Sequence, residues 1–213
     1  MRPALDVFWE TLRDWYNGMV GLAALNFVWL AASLTVILLP PITAGLCAVT
    51  NSLAHGMGAH FSDLWPETRR YAWVSYRWAL ANVAAVAVFV VGFTFYGRVG
   101  GALGVAIQAL FATGGLVWLA MQLYVWPFLI EQEDKRLRRA LKNALFLALA
   151  NPIYTFIMLG ATGLALLLSV ITMLPVAVFA TSFISLLGNR AVIERLTVYG
   201  KLPGAPATSS GEE

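Results

Sequence analysis

Residues 15–62, 78–97, 99–130 and 143–189 contain no Asp, Glu, Lys or Arg, so long uncharged apolar stretches alternate with short charged ones. About 20 apolar helical residues cross a hydrocarbon core ~30 Å thick. By that measure the four windows hold two, one, one and two crossings. Backbone polar groups inside lipid must be paired within the segment, which selects helices. The pattern therefore predicts an all-α, polytopic transmembrane helical bundle. Its six spans lie at about 19–39, 42–58, 78–96, 103–127, 153–172 and 175–188. Five spans plus a re-entrant second helix is the alternative.

The segments between the windows complete the organisation. Residues 1–18 place Leu5, Phe8, Trp9, Leu12, Trp15 and Tyr16 at helical spacing, an amphipathic lead-in that lies in the interface. Pro40 and Pro41 end the first span, and Pro41 fits the first turn of the next helix, where its missing N–H is harmless. Trp65-Pro66-Glu67 reads as a helix start within a segment rich in interfacial aromatics. Around residues 134–150, Leu137, Ala140, Leu141, Ala144, Leu145 and Ala148 recur at helical spacing. Lys135, Arg138, Arg139 and Lys142 share another face of this basic amphipathic helix, which Asn151-Pro152 stops. Residues 19–201 form one membrane domain, and 202–213 form a short polar tail expected to be disordered.

Composition agrees with this pattern: 60% of residues are apolar, 12% are charged, and mean hydropathy is +0.74. Soluble domains are about a quarter charged. With both termini cytoplasmic, only Arg98 of the 14 Lys and Arg falls outside, as the positive-inside rule prefers. A re-entrant second helix would move Arg2 and Arg13 outside and weaken that bias. The acidic residues at the start argue against a cleaved leader. The lone Cys47 has no disulfide partner within the chain and reads as span packing.

The candidate chemistry is sparse. The polar groups expected within spans are Asn26, Thr43, Thr50, Asn51, His55, Asn82, Gln108, Gln122 and Asn151. They either hydrogen-bond between helices, at about 0.5–1.5 kcal/mol each, or line a cavity. In the second case Asn26, Asn51, Asn82, Gln108 and Gln122 face one space with Trp29 and Trp118, as a neutral sugar would need. No carboxylate, Lys or Arg is expected inside a span, which disfavours proton coupling. Gly97, Gly100, Gly101 and Gly104 follow no strand, so they do not form a phosphate loop. Their small-xxx-small spacing suits close helix contact, including contact with a second copy of the chain. His55 and His60, five apart, do not share a helix face as metal ligands would. A nucleophile elbow and HExxH are both absent, so no enzyme activity, cofactor or metal is expected, and no nucleic-acid partner. Lys135, Arg136, Arg138, Arg139 and Lys142 are candidates for contact with a cytoplasmic partner or anionic lipid.

These residues also carry a family resemblance. The lead-in, Asn26 and Trp29, the block Leu39-Pro40-Pro41-Ile42-Thr43-Ala44-Gly45, the aromatics around Trp65, and Leu137 to Pro152 ending in Ala-Asn-Pro together resemble the YesL-like family. These are small bacterial membrane proteins classed as a domain of unknown function. Doubling of the proline at Pro40-Pro41 leaves the turn intact, and the family supplies no catalytic residues. Its members tend to be encoded near carbohydrate uptake and degradation systems. The resemblance implies a multi-pass protein of the bacterial plasma membrane that supports a carbohydrate permease or sensor. A facilitator of a small neutral solute is the first alternative, and a lipid-binding or envelope-stress protein the second.

Overall fold

The structure, a computed structural model, describes residues 2–58, 60–172 and 180–200. Among the described residues eight α-helices follow in order: α1 Arg2–Asn17, α2 Met19–Ser33, α3 Leu39–Ala54, α4 Leu64–Val99, α5 Gly101–Glu131, α6 Leu137–Ala150, α7 Pro152–Thr172 and α8 Thr181–Val198. A 3-10 turn, Phe61–Asp63, precedes α4. No strand occurs among the described residues.

At the centre stands α3, packed against α2, α4, α5 and α8. It begins with Pro40 and Pro41 in its first turn, as the missing proline donors favour. Its closest approach is at Gly45. A Cβ there would stand 2.2 Å from Thr68 Oγ1 and 3.0 Å from the Thr68 amide nitrogen, so only glycine lets α3 and α4 meet. The two helices run antiparallel. Ile37, in the turn before α3, accepts a hydrogen bond from the Tyr76 hydroxyl at 3.0 Å. The α2–α3 turn therefore stops beside Tyr76, and residues 78–99 of α4 continue past it.

Those residues pair with α5 in a second antiparallel hairpin, turned at Gly100 and Gly101, both at φ +69°. Left-handed backbone of this kind suits glycine and strains other residues. Gly92 faces Phe111, and Gly97 faces Gln108, where added Cβ atoms would clash at 2.3 and 2.6 Å. Lower down, Pro127 cannot donate to the carbonyl of Leu123, four residues earlier in α5. That carbonyl faces Gly188 of α8, where a Cβ would lie 2.6 Å from it.

The main core gathers buried side chains from α1 and from α3 to α8, with Tyr124, Leu129, Met158, Leu187 and Val192 at its middle. The lead-in helix α1 belongs to it through Ala4 and Val7, while Leu5, Trp9 and Tyr16 stay exposed. The basic helix ends before Asn151 but starts at Leu137 and not at the expected 134, so Lys135, at φ +45°, precedes it; α7 leaves it at a bend of 104°.

Span number is where the structure departs from expectation. Two helical stretches, Phe61–Val99 and Gly101–Glu131, are long and apolar enough to cross a membrane. The bent pair α6–α7 makes up to three among the described residues. Only 6% of the apolar window in each long stretch is buried, so these surfaces are free to face lipid. The expected spans at 78–96 and 103–127 lie within these helices, and 153–172 matches α7. The first two expected spans do not match. Helices α2 and α3 have 15 and 16 residues, or about 22 and 24 Å, short of the ~30 Å required. Their turn, moreover, sits level with the start of the apolar half of α4. The start of the expected span 175–188 and the tail 202–213 lie outside the described residues. The described part of the former belongs to α8, which carries polar residues into the core.

Gly45→Val should lower stability by about 1–3 kcal/mol or more, since backbone atoms of α4 cannot yield to a new side chain. Gly160→Ala, with nothing within 4 Å of the added methyl, should leave stability unchanged or raised. Thermal unfolding in detergent reads both.

Candidate functional site

Helices α3 and α8 face each other along a stripe of polar side chains. On α8, Ser182, Ser185 and Asn189 are spaced three and four apart, which puts them on one face. Across from them stand Cys47 of α3 and, three and four residues after it, Thr50 and Asn51. Asn189 Nδ2 donates to the Cys47 carbonyl and to Thr50 Oγ1, both at 3.0 Å. The hydroxyls of Thr50 and Ser185 lie 2.8 Å apart, and Ser185 Oγ is 2.9 Å from Cys47 Sγ.

The seam continues at both ends. Toward α2, Asn26 Nδ2 donates to Ser182 Oγ at 2.7 Å, and the Ser182 amide donates to Asn26 Oδ1 at 3.1 Å. Trp15 of α1 reaches the same hydroxyl at 3.3 Å. Toward the end of α5, Asn51 Nδ2 donates to Glu131 Oε1 at 2.7 Å and to Asn189 Oδ1 at 3.4 Å. His55 Nε2 is 2.7 Å from the same Glu131 oxygen, whose side chain is 12% exposed. A buried carboxylate needs such partners, because an unpaired charge out of water costs several kcal/mol.

A second polar group bridges α4 and α5. Trp118 Nε1 donates to Asn82 Oδ1 at 3.0 Å, and Asn82 Nδ2 donates to the Trp78 carbonyl at 2.9 Å. Trp78 Nε1 donates to Gln122 Oε1 at 3.0 Å, while the buried Gln122 Nε2 has no hydrogen-bond partner. The alternative of one cavity shared by Asn26, Asn51, Asn82, Gln108 and Gln122 is not what the described residues form, since these side chains fall into separate groups. Asn26, Thr50, Asn51 and His55 join the α3–α8 seam, Asn82 and Gln122 join the hairpin, and Gln108 lies against Gly97 near its tip. Thr43 accepts from Trp29 Nε1 at 2.9 Å within the α2–α3 pair. Amides and hydroxyls lock helices together here, because most of these side-chain pairs join two helices.

The glycines have intramolecular uses. Gly97 receives the Gln108 side chain, and a Cβ on Gly104 would meet the Tyr96 carbonyl at 3.0 Å. Gly100 and Gly101 form the turn. In the basic segment, Arg139 and Arg136 pair with Asp134 at 2.8 and 3.3 Å. Lys135 donates to the Ile130 carbonyl. Burial, then Arg70, hold the Lys135 ammonium below the usual lysine range. Arg138 and Lys142 remain exposed.

What the arrangement can do chemically is limited. His55 faces a carboxylate and no nucleophile, and Ser185 faces a thiol and a hydroxyl but no base. Among the described residues no group of three His, Cys, Asp or Glu could hold a metal ion. Ser182, Ser185 and Asn189 were not anticipated, although their helical spacing inside an uncharged window was visible. Glu131 had no such signal, since α5 runs past Pro127 and carries it into the seam. Comparison with protein-family models, with curated proteins and with solved structures gives no match.

Asn189→Ala orphans the partners of three hydrogen bonds and should cost about 1–3 kcal/mol. Asn82→Ala should cost less, because half of its bonding is to its own helix. Chemical unfolding of the two variants in detergent checks the order.

Proposed function

We propose that this chain is a non-catalytic component of the bacterial plasma membrane that supports a carbohydrate uptake system by binding a permease or a sensor. One observation carries the non-catalytic, non-conducting part: the polar side chains inside the bundle pair with each other across helices instead of lining an open polar cavity. A solute path needs unsatisfied polar groups facing a common space. The carbohydrate association comes from the family resemblance in the sequence. Exposed Arg138 and Lys142, beside the paired Arg136 and Arg139, are the surface offered to a partner.

In this reading the α4–α5 hairpin crosses the bilayer with Arg98 outside, while both termini and the basic helix α6 stay cytoplasmic. The distribution of Lys and Arg supports that orientation. A facilitator of a small neutral solute is the second reading, favoured by the unpartnered amide of Gln122 between α4 and α5.

Two measurements test these proposals. A cysteine at Val99 should react with an impermeant maleimide in intact cells, whereas one at Arg138 should react only after permeabilisation; the reverse pattern overturns the orientation. Tagged protein from native membranes should bring down a carbohydrate permease or sensor and give no sugar flux in liposomes. Flux without such a partner would replace this reading with the facilitator.

A further inference from the structure

Beyond Asn189, α8 leaves the polar seam and carries Arg195 to the place where α6 bends into α7. The Arg195 side chain is only 13% exposed. Its guanidinium lies 3.8 Å from the centroid of the Tyr154 ring, a stacked cation–π contact. Glu194 approaches Arg195 Nε at 3.1 Å, but without hydrogen-bond alignment, so Nε and Glu194 Oε2 are both buried without a hydrogen-bond partner. Burial also raises the Glu194 carboxyl above its usual value, against the pull of Arg195 and Tyr154. A guanidinium stays charged under all ordinary conditions.

Two cavities of about 390 and 400 Å³ share Arg195 and Ala150 in their walls. The first is walled by Phe128, Phe146 and Leu196, with Asn143 and Tyr199 as its other polar side chains. The second runs past Asn151 and Ile153. Asn151 Nδ2 donates to the Tyr199 hydroxyl at 2.9 Å, which leaves the hydroxyl proton available to a further acceptor. Outward, the apolar walls continue onto Phe146, 72% exposed, and onto exposed Leu149, Ile153 and Phe156.

From this juxtaposition we propose that the crevice at Arg195 binds an anionic phosphate carrying an apolar chain, namely a glycerophospholipid whose headgroup phosphate meets Arg195 and Tyr199 while an acyl chain covers Phe146. The Arg195 guanidinium already has the Glu194 carboxylate at 3.1 Å on its Nε edge, and a phosphate adds charge-assisted hydrogen bonds at its other nitrogens, which help offset the desolvation of the charge. The apolar walls distinguish a lipid from a free phosphate, which would leave them in water. The proposal rests on the membrane placement alone, not on the carbohydrate role, so recovery of a permease neither supports nor weakens it.

The test uses the full chain purified in detergent, probed with phosphatidylglycerol, phosphatidylcholine and inorganic phosphate by native mass spectrometry and thermal shift. Wild type should retain phosphatidylglycerol, prefer it to phosphatidylcholine and gain little from inorganic phosphate. Arg195→Gln should weaken phosphatidylglycerol binding about tenfold or more, the loss expected of one charge-assisted contact. Phe146→Asp, at an exposed position where the fold tolerates it, should weaken binding likewise and decides the matter should Arg195→Gln fail to fold. Arg138→Gln should change binding less than about twofold, as expected of one solvated surface charge. Unchanged binding in Phe146→Asp, or an equal loss in Arg138→Gln, overturns the site. Stabilisation by inorganic phosphate as strong as by the lipid overturns the lipid assignment.

Discussion

The contact between Gly45 of α3 and Thr68 of α4 sets the arrangement of everything else. Because the backbones meet there without an intervening side chain, α3 is pressed along the first turns of α4, and the α2–α3 turn comes to rest on Tyr76. Among the described residues the rest of α4 packs chiefly against α5. A bundle with a protruding apolar hairpin follows from one missing Cβ. The exposed Leu34, Val36 and Ile37 of the α2–α3 turn lie at the level where the apolar half of α4 begins. The apolar surface of that half therefore continues onto the turn.

The polar seam answers a different demand. Helices α3 and α8 are uncharged along their contact, and shape alone would allow them to slide or rotate. Hydrogen bonds from Asn189, Asn26 and Asn51 have donors and acceptors at fixed heights, so they select one register. The seam ends on Glu131, a carboxylate shielded by Asn51 and His55. At the same end of the bundle Arg190 pairs with Glu10 and Asp14 of α1. Charge is concentrated where α1, α3, α5 and α8 come together and is absent from the hairpin up to Arg98. Among the described residues most polar groups are satisfied within the bundle or placed where water or headgroups can reach them, while Gln122 Nε2, Trp126 Nε1 and the Gln132 amide are buried without a partner. Arg195 joins these: stacked on Tyr154, it has a carboxylate at its Nε edge that is poorly aligned for a hydrogen bond.

Much of this was legible in the chain. The uncharged windows and the proline and glycine punctuation located α1, α4, α5, the basic helix and the break at Asn151-Pro152. Those features are local, set by which residues can enter a helix and which backbone angles end it. The polar residues of α2 and α3 were also visible as candidates, although not their partners. Ser182, Ser185 and Asn189 look like ordinary small polar residues until α3 is laid against them. Glu131 lies outside every expected span until α5 is seen to pass through Pro127 unbroken.

By itself, then, the sequence determined that the chain is helical, apolar, and charged at one end of its long hairpin, since hydropathy and backbone preference act residue by residue. Only the tertiary structure decided which helices among the described residues are long and apolar enough to cross a membrane, two or up to three of them, and which amides meet. An uncharged stretch states that a segment avoids water, and both lipid and a neighbouring helix satisfy that. The choice between them rests on backbone contacts such as Gly45 with Thr68 and Gly188 with the Leu123 carbonyl, which join residues far apart in the chain and leave no periodic trace in either partner.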